Sequence, residues 1–93
     1  MKYNFTMNIE KKVWPKYFQA ILDGKKNYEL RLADWECNVE DTLLLKEWNP
    51  EIKGYTGREV SKKIKYVAKF KIDDLFWPKE DIEKHGLQII SLE

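Results

Sequence analysis

Residues 23 to 31 read Asp-Gly-Lys-Lys-Asn-Tyr-Glu-Leu-Arg, a G-x-K-x-x-E-x-R pattern of Gly24, Lys26, Glu29 and Arg31. If the chain is extended after the glycine, Glu29 and Arg31 share one face, about 7 Å apart by the strand rise. A carboxylate and a guanidinium so placed either pair with each other or turn together to a ligand. The carboxylate would accept from an amine or hydroxyl, and the guanidinium would grip a phosphate or a carbonyl edge. Lys26, at the turn, adds a mobile charge. An isolated surface ion pair contributes little. Two readings therefore stand together: a solvated strand edge, or the polar floor of a site for an anionic ligand. If the protein is catalytic, Lys26 with Glu29 or Glu47 would be the acid–base partners.

Other chemistries are poorly provided for. The chain has one cysteine, Cys37, and one histidine, His85, far apart and without metal-ligand spacing. No metal site is expected from them, and a single thiol forms no internal disulfide. Neither a dinucleotide fingerprint nor a P-loop is present, so no cofactor is expected. Glu47 follows Leu-Leu-Leu-Lys in a mostly apolar run and is expected to reach the cleft, complementing Lys26 or Arg31.

Aromatic residues offer stacking surfaces, each worth roughly 1–3 kcal/mol per base. Trp35, between Asp34 and Glu36, suits a cleft wall and is the leading candidate. Trp14, beside Lys11 and Lys12, is a second; Trp48 and Trp77 read as core. Lys63, Lys65, Lys69 and Lys71, with Lys62 beside them, read as a charged outer face that keeps a sheet edge unpaired. A patch tracking a nucleic-acid backbone is the alternative.

The elements that would position these residues follow from periodicity. Phe5, Met7 and Ile9 alternate with polar residues, as in a half-buried strand. Trp14, Tyr17, Phe18, Ile21 and Leu22 then fall at helical spacing. Pro15 suits the first helical turn and Gly24 the left-handed position that ends a helix, so a helix is predicted over about 15–23. Period two returns at Tyr28, Leu30 and Leu32, and 33–41 reads as a loop. Thr42 to Trp48 reads as a strand, Asn49 to Gly57 as a hairpin connection, and Val60 to Phe70 as a long strand. A short helix is expected near Pro78, and Leu87 to Leu92 as a closing strand. The sum is an α+β, mainly β domain of about five strands, with an inserted N-terminal helix and a short C-terminal one. Hairpin-linked strands in so short a chain favour a curled, barrel-like antiparallel sheet over a ferredoxin-like sandwich.

Composition sets the outer bounds. The chain of 93 residues has no internal repeat or low-complexity linker and reads as one domain, 1–93. Hydrophobic residues make up 43% and aromatics 14%, enough for a core without staples. With 17 basic and 16 acidic residues the net charge is +1, which argues against gripping long duplexes by bulk charge and leaves room for a local basic patch. No run approaches the roughly 20 apolar residues that span a bilayer. The N-terminal residues lack the apolar core of a signal peptide. A cytoplasmic protein without a membrane partner is expected.

The pattern at Gly24, Lys26, Glu29 and Arg31, following "WPKYFQAILDG" and followed by "EWNP" and "YTGR", resembles the signature of the ASCH superfamily, including its single-domain bacterial and phage members. The resemblance covers about residues 13 to 70, with a weaker echo at 86–92. It implies a PUA-like β-barrel, a cleft lined by motif residues, and a role with RNA or nucleotides. Some members deacylate a modified cytidine, using the turn lysine as base and a threonine three residues later as nucleophile. Lys26 matches that lysine, but Glu29 stands at the threonine position, and a carboxylate does not replace an activated alkoxide. A second departure is Val39-Glu40-Asp41, where similar sequences often carry glycine before the aspartate; a different turn is expected there.

Three functions compete on these residues. The first is an RNA- or nucleotide-binding module, with Gly24, Lys26, Glu29 and Arg31 as the site, Trp35 as a lid, and Trp14 and Glu47 alongside. The second is an amidohydrolase on a modified nucleoside of the N4-acylcytidine type. The third is a protein–protein adaptor.

Overall fold

A computed structural model describes residues 5–92. Its order is β1 (Asn8–Val13), α1 (Pro15–Leu22), β2 (Thr42–Asn49), β3 (Gly54–Lys63), a single 3-10 turn at Ile72–Asp74, and α2 (Lys79–His85). The three strands form one sheet in the order β1-β2-β3. The domain is α+β, and its sheet is open at both edges.

Strand β2 is paired on both sides. It runs parallel to β1, with Ile9 opposite Leu43 and Lys12 opposite Lys46. It runs antiparallel to β3 across a tight connection. The parallel pairing departs from the antiparallel sheet expected from hairpins alone. Its cause is the long return through α1 and the following loop, the crossover that parallel neighbours require. Along β2 the burial alternates strictly: Leu43, Leu45 and Glu47 point inward, while Leu44, Lys46 and Trp48 are only half-buried. Phe18 and Ile21 of α1 pack on the inward face and, with Val13, Leu43 and Leu45, make the buried core. Phe18 and Leu45 are almost wholly enclosed, each contributing about 1.5–3 kcal/mol by burial.

The helix lies within one residue of its predicted span, with Pro15 opening it. Its end is a Schellman motif. The Gly24 N–H donates to the Ile21 carbonyl at 3.1 Å, and the Lys25 N–H to the Ala20 carbonyl at 3.0 Å. Gly24 adopts φ 74°.

Several predicted strands are not strands. Residues 28–32 lie outside the sheet: Leu30 and Leu32 are 68% and 80% exposed. The long strand ends at Lys63, and Tyr66 and Phe70 face solvent. Residues 87–92 join no ladder. The first strand begins at Asn8, three residues later than its alternation suggested. Trp77, read as core, is 55% exposed and meets Phe76 edge-on with ring centres 6.3 Å apart. The cause is common to these cases: beyond residue 64 no residue is buried among those described, so periodicity there has no second layer to satisfy. The radius of gyration is 15.8 Å, against about 12 Å for a compact domain of this length.

The turn before β2 has Glu40 at φ 83°, the left-handed region that glycine favours. Asp41 holds it. Its buried carboxylate accepts the Met7 N–H at 2.9 Å and the Asn38 N–H at 2.8 Å.

These two positive-φ sites predict opposite effects. An L side chain in this region costs roughly 1–2 kcal/mol. No heavy atom would crowd a Cβ at Gly24, so Gly24→Ala should cost about 1 kcal/mol by backbone strain alone, lowering Tm by about 4–8 °C. Glu40→Gly should raise Tm by a few degrees, because the exposed ion pair it gives up with Lys63 is worth little. Thermal melts of the two variants check both signs.

Candidate functional site

The Schellman turn aims the motif. Lys26 follows it directly, its own N–H also reaching the Ala20 carbonyl, at 3.1 Å. The Lys26 ammonium donates to the Tyr28 carbonyl at 2.7 Å and to Glu29 Oε1 at 3.1 Å. The second Glu29 oxygen, Oε2, accepts from Arg31 Nε at 2.8 Å. One carboxylate thus holds two cations. Their side chains are 15% (Lys26), 16% (Glu29) and 31% (Arg31) exposed, so the cluster is half-sunk rather than splayed into solvent. Arg31 Nη2 also donates to the Lys12 carbonyl at 2.6 Å, tying the motif segment to edge strand β1.

Between this cluster, the end of β1 and the start of α1 lies a cleft of about 440 Å³. Lys12, Val13, Trp14 and Tyr17 form one side, and Lys26, Tyr28, Glu29, Leu30 and Arg31 the other. Trp14, Tyr17 and Tyr28 are 54%, 48% and 37% exposed, leaving ring surface available. The Lys26 ammonium lies 4.6 Å from the Tyr28 ring centre, within cation–π range.

The structure therefore brings together Lys26, Glu29, Arg31 and Trp14, with Gly24 shaping the approach. Trp35 and Glu47 do not join them. Trp35 packs half-buried against the core, and the Lys11 ammonium covers its ring at 3.9 Å. Both sit on the core side of the sheet, because Lys11 is the register partner of Leu45. Glu47 is turned inward by the alternation that buries Leu43 and Leu45, and is only 4% exposed. It meets neither Lys26 nor Arg31.

Glu47 has other partners. Across from it the ladder is irregular: Lys46 pairs with Glu59 and Trp48 with Tyr55, so Thr56, Gly57 and Arg58 stand opposite one residue. Gly57 at φ 97° permits the bulge. The bulge wraps both side chains around the carboxylate. Thr56 Oγ1 donates to Oε1 at 2.5 Å, and Arg58 reaches Oε1 through Nε at 3.0 Å and Oε2 through Nη2 at 2.8 Å. Arg58 also bonds Gln19 Oε1 of α1 at 3.2 Å through Nη1, its guanidinium lying 5.0 Å from the Phe18 ring centre. The set latches helix to hairpin. The spacing in "YTGR" was visible in the sequence, but its pairing with Glu47 depends on a bulge that no period reveals. Tyr17 and Lys12 of the cleft wall were missed too. Tyr17 was counted with the apolar helical face, and Lys12 belongs to a strand that begins later than expected.

Among the described residues no group of His, Cys, Asp and Glu could hold a metal ion, and no helix is long and apolar enough to cross a membrane.

Such a chain is a small α+β domain with a polar cleft beside the end of its first helix. Residues 9–77 match the family described as "Domain of unknown function (DUF3850)", and the chain belongs to that family. It is also 42% identical over 59 residues to the "Uncharacterized 12.9 kDa protein in GpA 3'region" of Escherichia phage P2. The matched stretch is 63% of this chain and 52% of that protein, so the chain spans about half the length of the curated relative it matches.

The buried pair yields a pH prediction. Hydrogen bonds from Arg58, then from Thr56, hold the Glu47 carboxyl below its ordinary range, and burial opposes them only in part. A carboxyl depressed on folding contributes stability above its unfolded pKa of about 4.3, and that contribution is lost as pH falls through the lower folded value. Wild type should therefore lose Tm below that pH more steeply than Glu47→Gln. Arg58→Ala, which strands the carboxylate, should be less stable than Glu47→Gln at neutral pH. Melts across a pH series measure both.

Proposed function

We propose that the protein binds RNA or nucleotides, with the base against Trp14, Tyr17 and Tyr28 and the polar edge at Lys26, Glu29 and Arg31. The observation that carries this reading is the coexistence, in one cleft, of three exposed rings and a half-buried charged triad. Rings stack on any base face. The triad can accept and donate at a base or sugar edge.

The ASCH resemblance supports the same reading and is proposed with it. The closed PUA-like barrel belongs to that proposal. It would be completed by segments 28–32 and 87–92, which approach each other where the Asn27 N–H donates to Ser91 Oγ at 3.4 Å. The hydrolase alternative draws less support. The Lys26 ammonium donates to Glu29 and to a backbone carbonyl, and among the described residues no side-chain hydroxyl is bonded to it.

Arg31 is the residue to change. A hydrogen bond to a charged group is worth about 1.5–3 kcal/mol, so Arg31→Ala should weaken binding of ribonucleoside monophosphates or a short single-stranded RNA by about tenfold or more. Calorimetric titration reads the change, and an affinity equal to wild type removes the site.

A further inference from the structure

The outer face of the sheet carries a second hollow, of about 340 Å³, lined by Glu10, Lys11, Lys12, Arg31, Lys46 and Tyr55. Lys12 and Arg31 also line the cleft above, so the two hollows share a wall. Lys12 and Lys46 are register partners in the parallel ladder and leave the same face of the sheet. Like charges placed directly opposite each other destabilise a sheet. Glu10 offsets only one of them, with Oε1 3.3 Å from the Lys46 ammonium.

Lys12 has no carboxylate partner among the described residues; its ammonium lies 4.9 Å from the Trp48 ring centre and 5.7 Å from that of Tyr55. The Lys46 ammonium is also 5.7 Å from Tyr55. Arg31 is the third cation. Its Nε is engaged by Glu29 and its Nη2 by the Lys12 carbonyl. Nη1 has no protein partner among the described residues and is available to a ligand. The Lys11 ammonium is turned away to the Trp35 ring; the other three cations of the lining, with Glu10 as its one carboxylate, form a site that a phosphate would relieve of repulsion.

We infer that Lys12, Lys46 and Arg31 form a phosphate subsite, so that the ligand of the adjoining cleft is a phosphorylated nucleotide, free or within a single strand, and not a bare nucleoside. The inference rests on the nucleotide reading of that cleft and adds to it the requirement for a phosphate. Arg31, common to both hollows, would contact the base or sugar edge on one side and the phosphate on the other.

Titration of wild type, Lys12→Gln, Lys12→Arg and Lys46→Gln tests this. The ligands are the four ribonucleosides, their 5′-monophosphates and a single-stranded RNA of about five nucleotides, a length matched to a short binding groove. For at least one base, the monophosphate should bind wild type about tenfold tighter than its nucleoside. Lys12→Gln and Lys46→Gln should shrink that ratio toward unity, and Lys12→Arg should keep it. An RNA that outbinds every monophosphate identifies the phosphate as part of a strand; the reverse order identifies a free nucleotide. Equal affinity for nucleoside and monophosphate, or a ratio untouched by both glutamine variants, overturns the subsite and leaves the cleft reading standing. No binding of any of these ligands overturns the cleft reading and the subsite with it.

Discussion

Strand β2 is the constraint on which the other features depend. It alone is paired on both edges, and its period-two alternation divides the molecule into two environments. Inward, Leu43 and Leu45 meet the helix, and Glu47 extends that face into a polar latch with Thr56, Arg58 and Gln19. Outward, Lys46 faces a hollow with Lys12 and Tyr55, and the Trp48 ring lies under the Lys12 ammonium. A slip of one residue in the β1–β2 register would exchange these faces, carrying Lys12 inward and Val13 outward. The core and the proposed ligand surface are therefore specified by the same pairing.

On this frame the motif segment is held without a ladder. Its fixed points are the Schellman turn at Gly24, the two-cation grip of Glu29 and the bond from Arg31 to the Lys12 carbonyl. Side chains here perform the task that backbone hydrogen bonds perform in a strand. Such a segment is ordered by charge, and its geometry is therefore sensitive to any anion that competes for Lys26 or Arg31. Glu29 in particular compensates both cations at once.

Legibility in the sequence followed burial. Helix α1 was readable because Phe18 and Ile21 pack on a sheet and Pro15 and Gly24 mark its ends. Strand β2 was readable because both its faces touch protein. The segments 28–32, 64–70 and 87–92 carry the same alternation, yet apart from Ile64, which packs on the core, their apolar residues are mostly exposed, and alternation alone does not make a ladder. For the site, Lys26, Glu29 and Arg31 were legible because spacing on one short segment fixes their neighbourhood. Trp35 and Glu47 were misplaced because each depends on which side of the sheet it falls. For Glu47 that is set by inward alternation and a bulge, and for Trp35 by packing on the core beside Lys11. The left-handed backbone at Glu40 was not legible from its residue type; the Asp41 contacts to Met7 and Asn38 hold the turn there.

The charge distribution bears on what such a surface can hold. A net charge of +1 gives the molecule little long-range field. Around the two hollows, however, Lys12, Lys26, Lys46 and Arg31 outnumber Glu10 and Glu29, while the Lys11 ammonium is turned to Trp35. Positive charge is thus gathered around these two adjoining hollows. At physiological salt, fields from exposed charges fade within about 8 Å, so this arrangement attracts an anion that enters the hollow and little that lies outside it. A long duplex, whose binding grows with the number of phosphates neutralised, gains nothing from the remaining surface. The proposed nucleotide or short single strand would meet that local charge, with the three exposed rings of the cleft beside it.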